Sequence, residues 1–208
     1  MRKKPNLNSR MEKCAHLLIE NPNNLRGKWK DEYKYDKVYL ELGCGKGKFA
    51  SDCAKISPDV LFIALEKSTN VIVTGMERAN FENIKNLRFI NALADNTGEY
   101  FANGEIDRIY INFCDPWEAD RYAKRRLTHK KYLEVYESIL RPSGELHFKT
   151  DNKSLFEFSA QELESSKFII SSTDTDLHKN GTVGIMTEYE TKFHEQGKPI
   201  YMIIAKTP

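Results

Sequence analysis

The chain has 208 residues, of which 40% are hydrophobic and 30% charged, and its 32 basic and 30 acidic side chains give a formal net charge of +2. This composition excludes a disordered chain, and the length suffices to bury about 70% of the unfolded surface around one core without a metal or disulfide. No apolar run approaches the roughly 20 residues of a membrane helix and the first residues do not resemble a signal peptide, so we expect a soluble, cytoplasmic protein.

Strands and helices are predicted in alternation from residue 38 onward. Val38–Leu42 predicts a first strand, and apolar positions between Phe49 and Ala54 recur at the spacing of a helix. Val60–Glu66 predicts a strand buried on both faces. Ser68 can cap the next helix, whose apolar face is expected to run from Val71 to Ala79.

Five further strands are expected at Leu87–Asn91, Ile106–Phe113, Glu145–Thr150, Lys167–Ser172 and Pro199–Ala205. The strand at Glu145–Thr150 is preceded by a helix, with an apolar face from Tyr132 to Leu140, and by a turn at 141–144. The alternation indicates an α/β protein with a mainly parallel sheet and helices on both faces. Because no linker or repeat is visible, we predict one domain, residues 31–208, behind a basic N-terminal extension, residues 1–30.

The positive charge is concentrated in two segments. Residues 1–30 carry a net charge of about +6, and residues 121–131, RYAKRRLTHKK, carry six basic side chains and no acid. Clustered Lys and Arg neutralise phosphates locally, so a polyanion partner is indicated despite the balanced total. The alternative is a solvated helix face and a solvated terminus.

A glycine-rich loop, Gly43-Cys44-Gly45-Lys46-Gly47, follows the first strand, where open α/β sheets bind ligands. A dinucleotide fingerprint needs a glycine where Lys48 stands. The acid Glu41 before the loop instead suits a ligand with a cationic end, such as S-adenosylmethionine, and Glu66 after the second strand can accept both ribose hydroxyls. The alternative is a glycine turn flanked by two exposed acids.

The segment Asp115-Pro116-Trp117 follows the fourth predicted strand. The acid provides an acceptor and the indole a flat stacking surface, while the proline fixes the direction in which the loop leaves the sheet. A simple strand-ending proline turn is the alternative. The cysteines form no CxxC pair and the histidines are not spaced like ligands, so we expect reduced thiols and no metal site.

Several spaced motifs resemble the bacterial tRNA (guanine-N7)-methyltransferase family: ELGCGKGKF, DPW followed by KRRLTH, FKTDN, and TEYE followed by GKPIY. The resemblance covers nearly the whole chain. It implies methyl transfer from S-adenosylmethionine to N7 of a guanine in the tRNA variable loop, by a monomer or homodimer that needs no membrane. It also implies a Rossmann-like S-adenosylmethionine-dependent methyltransferase fold, with a seven-stranded sheet whose last strands form an antiparallel hairpin.

The resemblance also implies roles for individual residues. The positions that match the cofactor-binding residues are Glu41, Gly43, Gly45, Gly47, Glu66, Leu93 and Asp115. Asp115 also matches the catalytic acid at the junction of cofactor and substrate. The positions that match the substrate-binding residues are Ala119, Asp151, Thr187, Glu188, Tyr189 and Glu190. The expected RNA contacts are Arg121, Lys124, Arg125 and Arg126.

Two positions depart from the family pattern. Leu93 stands where the family often has an acid near the adenine, so a contact there would be apolar or through the backbone. Ala119 stands where a substrate-facing lysine is usual, which shifts the RNA contact toward Lys124, Arg125 or Arg126. Two rival functions remain open from the sequence: a methyltransferase that acts on a protein or small molecule, and a non-catalytic RNA-binding protein.

Overall fold

The computed structural model describes residues 6–208, which form two compact units, the first ending at Phe101 and the second spanning Ala102–Pro208. The strands of the first unit are β1 (Lys37–Leu42), β2 (Val60–Leu65) and β3 (Leu87–Ile90). They pair in parallel in the order β3-β2-β1. All six residues of β2 are buried, as predicted from its unbroken apolar run.

The helices of the first unit are α1 (Leu7–Lys13), α2 (Trp29–Tyr33), α3 (Lys48–Ile56), α4 (Thr69–Phe81) and α5 (Thr97–Tyr100). Short 3-10 helices lie at Ala15–Leu17, Pro22–Leu25 and Ala94–Asn96. The prediction for α4 needs two corrections. Val73 is buried where Val71 was expected, and Ser68 occupies the N-cap position without a capping hydrogen bond from its side chain.

Residues 6–30 pack against the rest of the first unit. The Arg10 guanidinium donates to both carboxylate oxygens of Glu77 on α4, at 2.7 and 2.6 Å, and Trp29 is fully buried with its Nε1 donating to the carbonyl oxygen of Tyr100. One of the basic side chains in this segment is therefore neutralised by the protein itself. Residues 1–5, with three further basic side chains, lie outside the described residues, and the domain boundary at residue 30 stays a prediction.

The strands of the second unit are β4 (Ile106–Asn112), β5 (Leu140–Thr150), β6 (Ile169–Asp174) and β7 (Tyr201–Lys206). Their order is β4-β5-β7-β6. β5 runs parallel to β4 and antiparallel to β7, and β6 and β7 form the predicted antiparallel pair. The helices are α6 (Lys130–Ile139), α7 (Lys153–Glu164) and α8 (Glu188–Glu195), with a 3-10 helix at Asp120–Arg125.

The predicted turn before β5 is instead an irregular stretch within a longer strand. Ile106 pairs with Leu140 and Arg108 with Glu145, so four residues of β5, 141–144, stand opposite one residue of β4, and Ser143 has a φ of 58°. Thr207 holds this stretch, because its hydroxyl accepts from the Gly144 amide and donates to the Arg141 carbonyl. The turn chemistry is thus present, but it forms a bulge.

A buried polar group on β5 predicts a loss of stability in acid. Burial lowers the pKa of His147 to about 4, despite its hydrogen bond to Glu145. Burial alone would raise the pKa of Glu145, but the His147 hydrogen bond and the Arg108 charge lower it to about 2. The unfolded state therefore binds more protons than the folded state as the pH falls, first through the His147 window near 6.5 to 4.

We expect the free energy of unfolding to fall on the order of 2 kcal/mol between pH 7.5 and 4.5 through His147. Urea titrations at the two pH values measure this difference. The variant His147→Gln keeps a donor for Glu145 but does not titrate in this range, so its pH dependence should be flatter. An equally steep dependence in the variant would contradict the assignment to His147.

No helix within residues 6–208 has the length and apolar character needed to cross a membrane.

Candidate cofactor and RNA sites

The glycine loop after β1 has the backbone conformation that the sequence predicts for close approach to a ligand. Gly43, Gly45 and Gly47 have φ values of 78°, 56° and 68°, in the left-handed region that favours glycine. A Cβ added at Gly43 or Gly45 would meet nothing within 4 Å. At Gly47 it would lie 3.0 Å from the Cα of Gly75 and 3.2 Å from the Phe89 ring. Gly43 and Gly45 thus face open space, whereas Gly47 is needed for packing against α4.

These two environments predict different effects of alanine. Each glycine-to-alanine change in the left-handed region should cost about 1 kcal/mol of unfolding free energy, and Gly47→Ala should cost more because of the backbone contact. Gly43→Ala should instead mainly weaken S-adenosylmethionine binding, because its methyl group would occupy the open space beside the loop. Urea unfolding and titration calorimetry measure the two effects. Similar losses of stability in both variants, with unchanged cofactor affinity, would contradict the prediction.

The carboxylate of Glu66 supports the glycine loop. Its Oε2 accepts from the Gly45 amide at 3.2 Å, and its Oε1 accepts from the Ser68 amide at 2.8 Å. The second bond satisfies the backbone amide of Ser68, at the N-cap position of α4. Glu66 is 9% exposed, so its carboxylate is largely buried beside the loop.

Two buried carboxylates, Glu41 and Glu66, act on the loop. Burial and then the charges of Glu41 and Glu66 raise the pKa of the Cys44 thiol well above its ordinary value. The same field stabilises a cation, so the sulfonium and amino group of S-adenosylmethionine fit this region. Leu93, which follows β3, is 53% exposed and offers an apolar surface. The residues of the first unit therefore suit the cofactor that was predicted for them.

In the second unit, Asp115 and Asp151 lie at one edge of the sheet. They follow the parallel strands β4 and β5. The last paired residues of these strands are Asn112 and Lys149. The Phe113 amide then donates to the Lys149 carbonyl at 2.9 Å, which extends the pairing by one residue. Asp115 is exposed and Asp151 is half-buried. Two carboxylates predicted to act on the base thus leave neighbouring strands in the same direction.

The TEYE segment forms the start of α8, a helix that its polar composition did not predict. The Thr187 hydroxyl accepts from the Glu190 amide at 2.9 Å and Glu190 Oε2 accepts from the Thr187 amide at 3.1 Å, which completes a capping box. Glu190 is fully buried, and its Oε1 contacts Lys149 Nζ and His178 Nε2, each at 2.8 Å. The structure thus places Thr187 and Glu190 inside the protein, and their contact with the base stays a prediction.

The other two residues of the segment, Glu188 and Tyr189, are exposed. The Tyr189 ring stacks against Phe113 with a centroid distance of 6.4 Å, and Phe193 contacts both rings. Phe113 and Phe193 were not among the residues expected at the site. In the sequence, Phe113 stands two positions before Asp115, and Phe193 stands four positions after Tyr189. The spacing of four places Tyr189 and Phe193 on one helix face.

The expected RNA contacts divide into two groups. Arg121, Lys124 and Arg125 are exposed on the 3-10 helix at Asp120–Arg125. The Arg125 guanidinium lies 4.9 Å from the ring centroids of both Trp117 and Tyr122, so it packs against two aromatic side chains. A stacked guanidinium keeps its N–H donors oriented for phosphate. Ala119, at the start of this helix, is exposed and offers no charge.

Arg126 differs from the arginine before it. It is only 8% exposed, and its guanidinium donates to the carbonyl oxygens of Pro116, Trp117 and Glu118. Its donors are directed at the protein backbone, and the contact of Arg126 with RNA stays a prediction.

A cavity of about 580 Å³ lies in the second unit beside the loop after β4 and α7. Its polar lining includes Glu118, Glu157 and Asn152, which follows Asp151 directly. The Arg126 guanidinium also lines the cavity, and the Asn152 Oδ1 accepts from the Leu155 amide at the start of α7. Within residues 6–208, no group of three or more His, Cys, Asp or Glu side chains is arranged to hold a metal ion.

Solved structures of methyltransferases share the fold of this chain. The 16S rRNA methyltransferase KamB is 14% identical, with a TM-score of 0.67 over 86% of this chain and 92% of that one. A 16S rRNA (adenine(1408)-N(1))-methyltransferase variant from Catenulisporales acidiphilia, solved with S-adenosylmethionine, is 10% identical, with a TM-score of 0.59 over 85% and 90%. The phosphoethanolamine N-methyltransferase 2 of Haemonchus contortus is 15% identical, with a TM-score of 0.54 over 91% and 53%.

The Methyltransf_4 methyltransferase family model matches residues 35–203, which span both units. It is the domain of the tRNA (guanine-N7)-methyltransferases. Seven strands in a mixed sheet, flanking helices and a glycine loop after β1 agree with that assignment. The chain therefore belongs to the Methyltransf_4 family of S-adenosylmethionine-dependent methyltransferases and has their Rossmann-like fold.

Proposed function

We propose that this protein transfers a methyl group from S-adenosylmethionine to N7 of a guanine in the variable loop of tRNA. The observation that carries the proposal is the arrangement in the second unit: Asp115 and Asp151 follow paired parallel strands, and the exposed cationic 3-10 helix begins five residues after Asp115. This combines acceptors for a base with donors for phosphates. Family membership supports the reaction, and the motifs that resemble the family support its substrate.

The chemistry needs orientation more than proton transfer. Guanine N7 has an in-plane lone pair and no proton to lose, so no general base is required. S-adenosylmethionine supplies the methyl group, and the protein must align N7 with it for in-line displacement. In this proposal Asp115 and Asp151 accept hydrogen bonds from the N1–H and the N2 amino group of guanine. Their charges also stabilise the positive charge that methylation leaves on the purine.

The buried residues of the TEYE segment act indirectly in this mechanism. Glu190 and Thr187 hold the start of α8, and the Glu190 contact to Lys149 joins the helix to the end of β5. Tyr189 and Glu188 are the exposed members that can face the base. Arg121, Lys124 and Arg125 bind the RNA backbone. A guanine in tertiary pairing must first be exposed, which costs a few kcal/mol by analogy with base flipping.

The direct test is methylation of bulk tRNA, followed by borohydride reduction and aniline cleavage, which breaks the chain at 7-methylguanosine. One cut in the variable loop would support the base, the atom and the site together. Ribosomal RNA serves as the comparison substrate, and methylation of that RNA alone would overturn the proposal. Calorimetry with S-adenosylmethionine tests the rival of a non-catalytic RNA-binding protein, which would bind tRNA but not the cofactor.

A further inference from the structure

Within the basic run at residues 121–131, the sixth residue, Arg126, differs from those before it in exposure and contacts. Up to Arg125 the run is an exposed 3-10 helix, whereas Arg126 is buried and directed at the loop that contains Asp115. We propose that Arg126 is a positioning residue for this loop, and that its charge serves the loop backbone and not the RNA. This inference rests on the proposed function for its kinetic readout.

The contacts of Arg126 fix three consecutive residues of the loop. Its Nε donates to the Pro116 carbonyl at 3.1 Å, and its Nη2 donates to the Trp117 carbonyl at 3.0 Å and to that of Glu118 at 3.3 Å. A guanidinium can serve several carbonyls at once because it is planar and carries five N–H donors. Asp115 directly precedes these three residues, so the direction of its backbone depends on them.

The loop needs such support because its backbone is strained. Trp117 has a φ of 43° and Phe113 a φ of 51°, which are uncommon for residues with large side chains. Strained residues persist where surrounding contacts determine their conformation, and they concentrate at functional sites. The carbonyl of Trp117 is one that Arg126 holds.

The segment after Arg126 is anchored to α7. The Arg126 guanidinium lies 4.4 Å from the ring centroid of Phe158, and the Thr128 hydroxyl accepts from Ser159 Oγ at 2.7 Å. The Lys130 amide donates to the Glu162 carboxylate. Arg126 therefore joins the loop to α7. The same contacts hold the end of the 3-10 helix that carries the exposed cations.

The test compares Arg126→Met, Arg126→Lys and Arg125→Met in the full-length protein. Arg126→Met should lower kcat at saturating tRNA by about 100-fold, because displacement of a catalytic group by about 1 Å has effects of this size. Its tRNA dissociation constant should stay within about threefold of the parent. Arg125→Met should show the opposite pattern, with weaker tRNA binding and a nearly normal kcat. Lys167→Met, an exposed change outside the basic run and outside the proposed site, is the control.

Arg126→Lys separates the two roles when Arg126→Met does not fold. Lysine keeps the charge that a phosphate contact needs, but its ammonium group cannot reproduce the guanidinium's planar set of donors. We expect a loss of kcat in this variant with normal tRNA affinity. A nearly normal kcat for Arg126→Lys, or a loss of tRNA affinity in Arg126→Met equal to that in Arg125→Met, would overturn the proposal.

A second readout needs no turnover and so does not depend on the proposed function. The chain has two tryptophans, and Trp29 is fully buried, so acrylamide quenching mainly reports Trp117. Both Arg126 variants should increase quenching because the loop is released, while Lys167→Met should not. Unchanged quenching in the Arg126 variants would overturn the positioning role even if tRNA proved not to be the substrate.

Discussion

Replacement of Asp115 by asparagine should lower tRNA methylation by about 100-fold or more, while the protein stays folded. The carboxylate stabilises positive charge on the methylated purine, and an amide of the same shape carries no charge. Because Asp115 is exposed, its replacement removes no core contact. Asp151→Ala should have an effect of the same kind, since Asp151 follows the neighbouring strand. Single-turnover assays with saturating tRNA and cofactor measure the loss.

The matched control for Asp115→Asn is Glu118→Gln. Glu118 is an exposed acid three residues further along the loop, and it carries no role in the proposed mechanism. Its replacement removes the same charge without touching the proposed contacts to the base. Thermal melts of all three variants check that they fold. Nearly normal turnover of Asp115→Asn or Asp151→Ala would contradict the assignment of that residue.

Charge reversal of Lys124 and Arg125 together should weaken tRNA binding by about 10- to 100-fold at low salt. Both side chains are exposed on the 3-10 helix after the Asp115 loop. Each lost phosphate contact should also reduce the slope of log affinity against log salt concentration by about 1. Filter binding at several salt concentrations measures both effects, and calorimetry should find the S-adenosylmethionine affinity unchanged.

Lys167→Glu is the control for this charge reversal. Lys167 is an exposed lysine that follows α7 in the chain, and it forms an ion pair with Glu137 on α6. An equal loss of tRNA and cofactor binding in the double variant would indicate misfolding. An unchanged tRNA affinity would contradict the assignment of the 3-10 helix as the RNA contact.

The strands could be predicted from the sequence because apolar runs determine them. β2 is buried along its whole length, and a short unbroken apolar run favours a strand with both faces covered. The helix α8 could not be predicted in this way, because Glu188 to Glu195 carry too few apolar residues to show a helical period. Its start depends on the capping box and on the buried contacts of Glu190, which involve residues distant in the chain.

The site could be predicted as a set of residues, but the division of roles within it could not. Arg125 and Arg126 are identical in type and adjacent in sequence. Their difference arises where the 3-10 helix ends, since the Arg125 side chain is exposed beside two aromatic rings and the Arg126 side chain turns inward to backbone carbonyls. Likewise, TEYE marks four positions, and only the helix start decides that Thr187 and Glu190 point inward while Glu188 and Tyr189 are exposed.

Cys114 and Cys44, which stand close to the proposed acids in the sequence, affect how the protein can be handled. The pKa of Cys114 is raised to about 12 by burial and by the charge of Asp115, and that of Cys44 is also raised well above its ordinary value. The thiolate is the form that reacts with alkylating agents and oxidants. Both thiols therefore stay protonated at neutral pH, and methyl transfer should tolerate iodoacetamide and air.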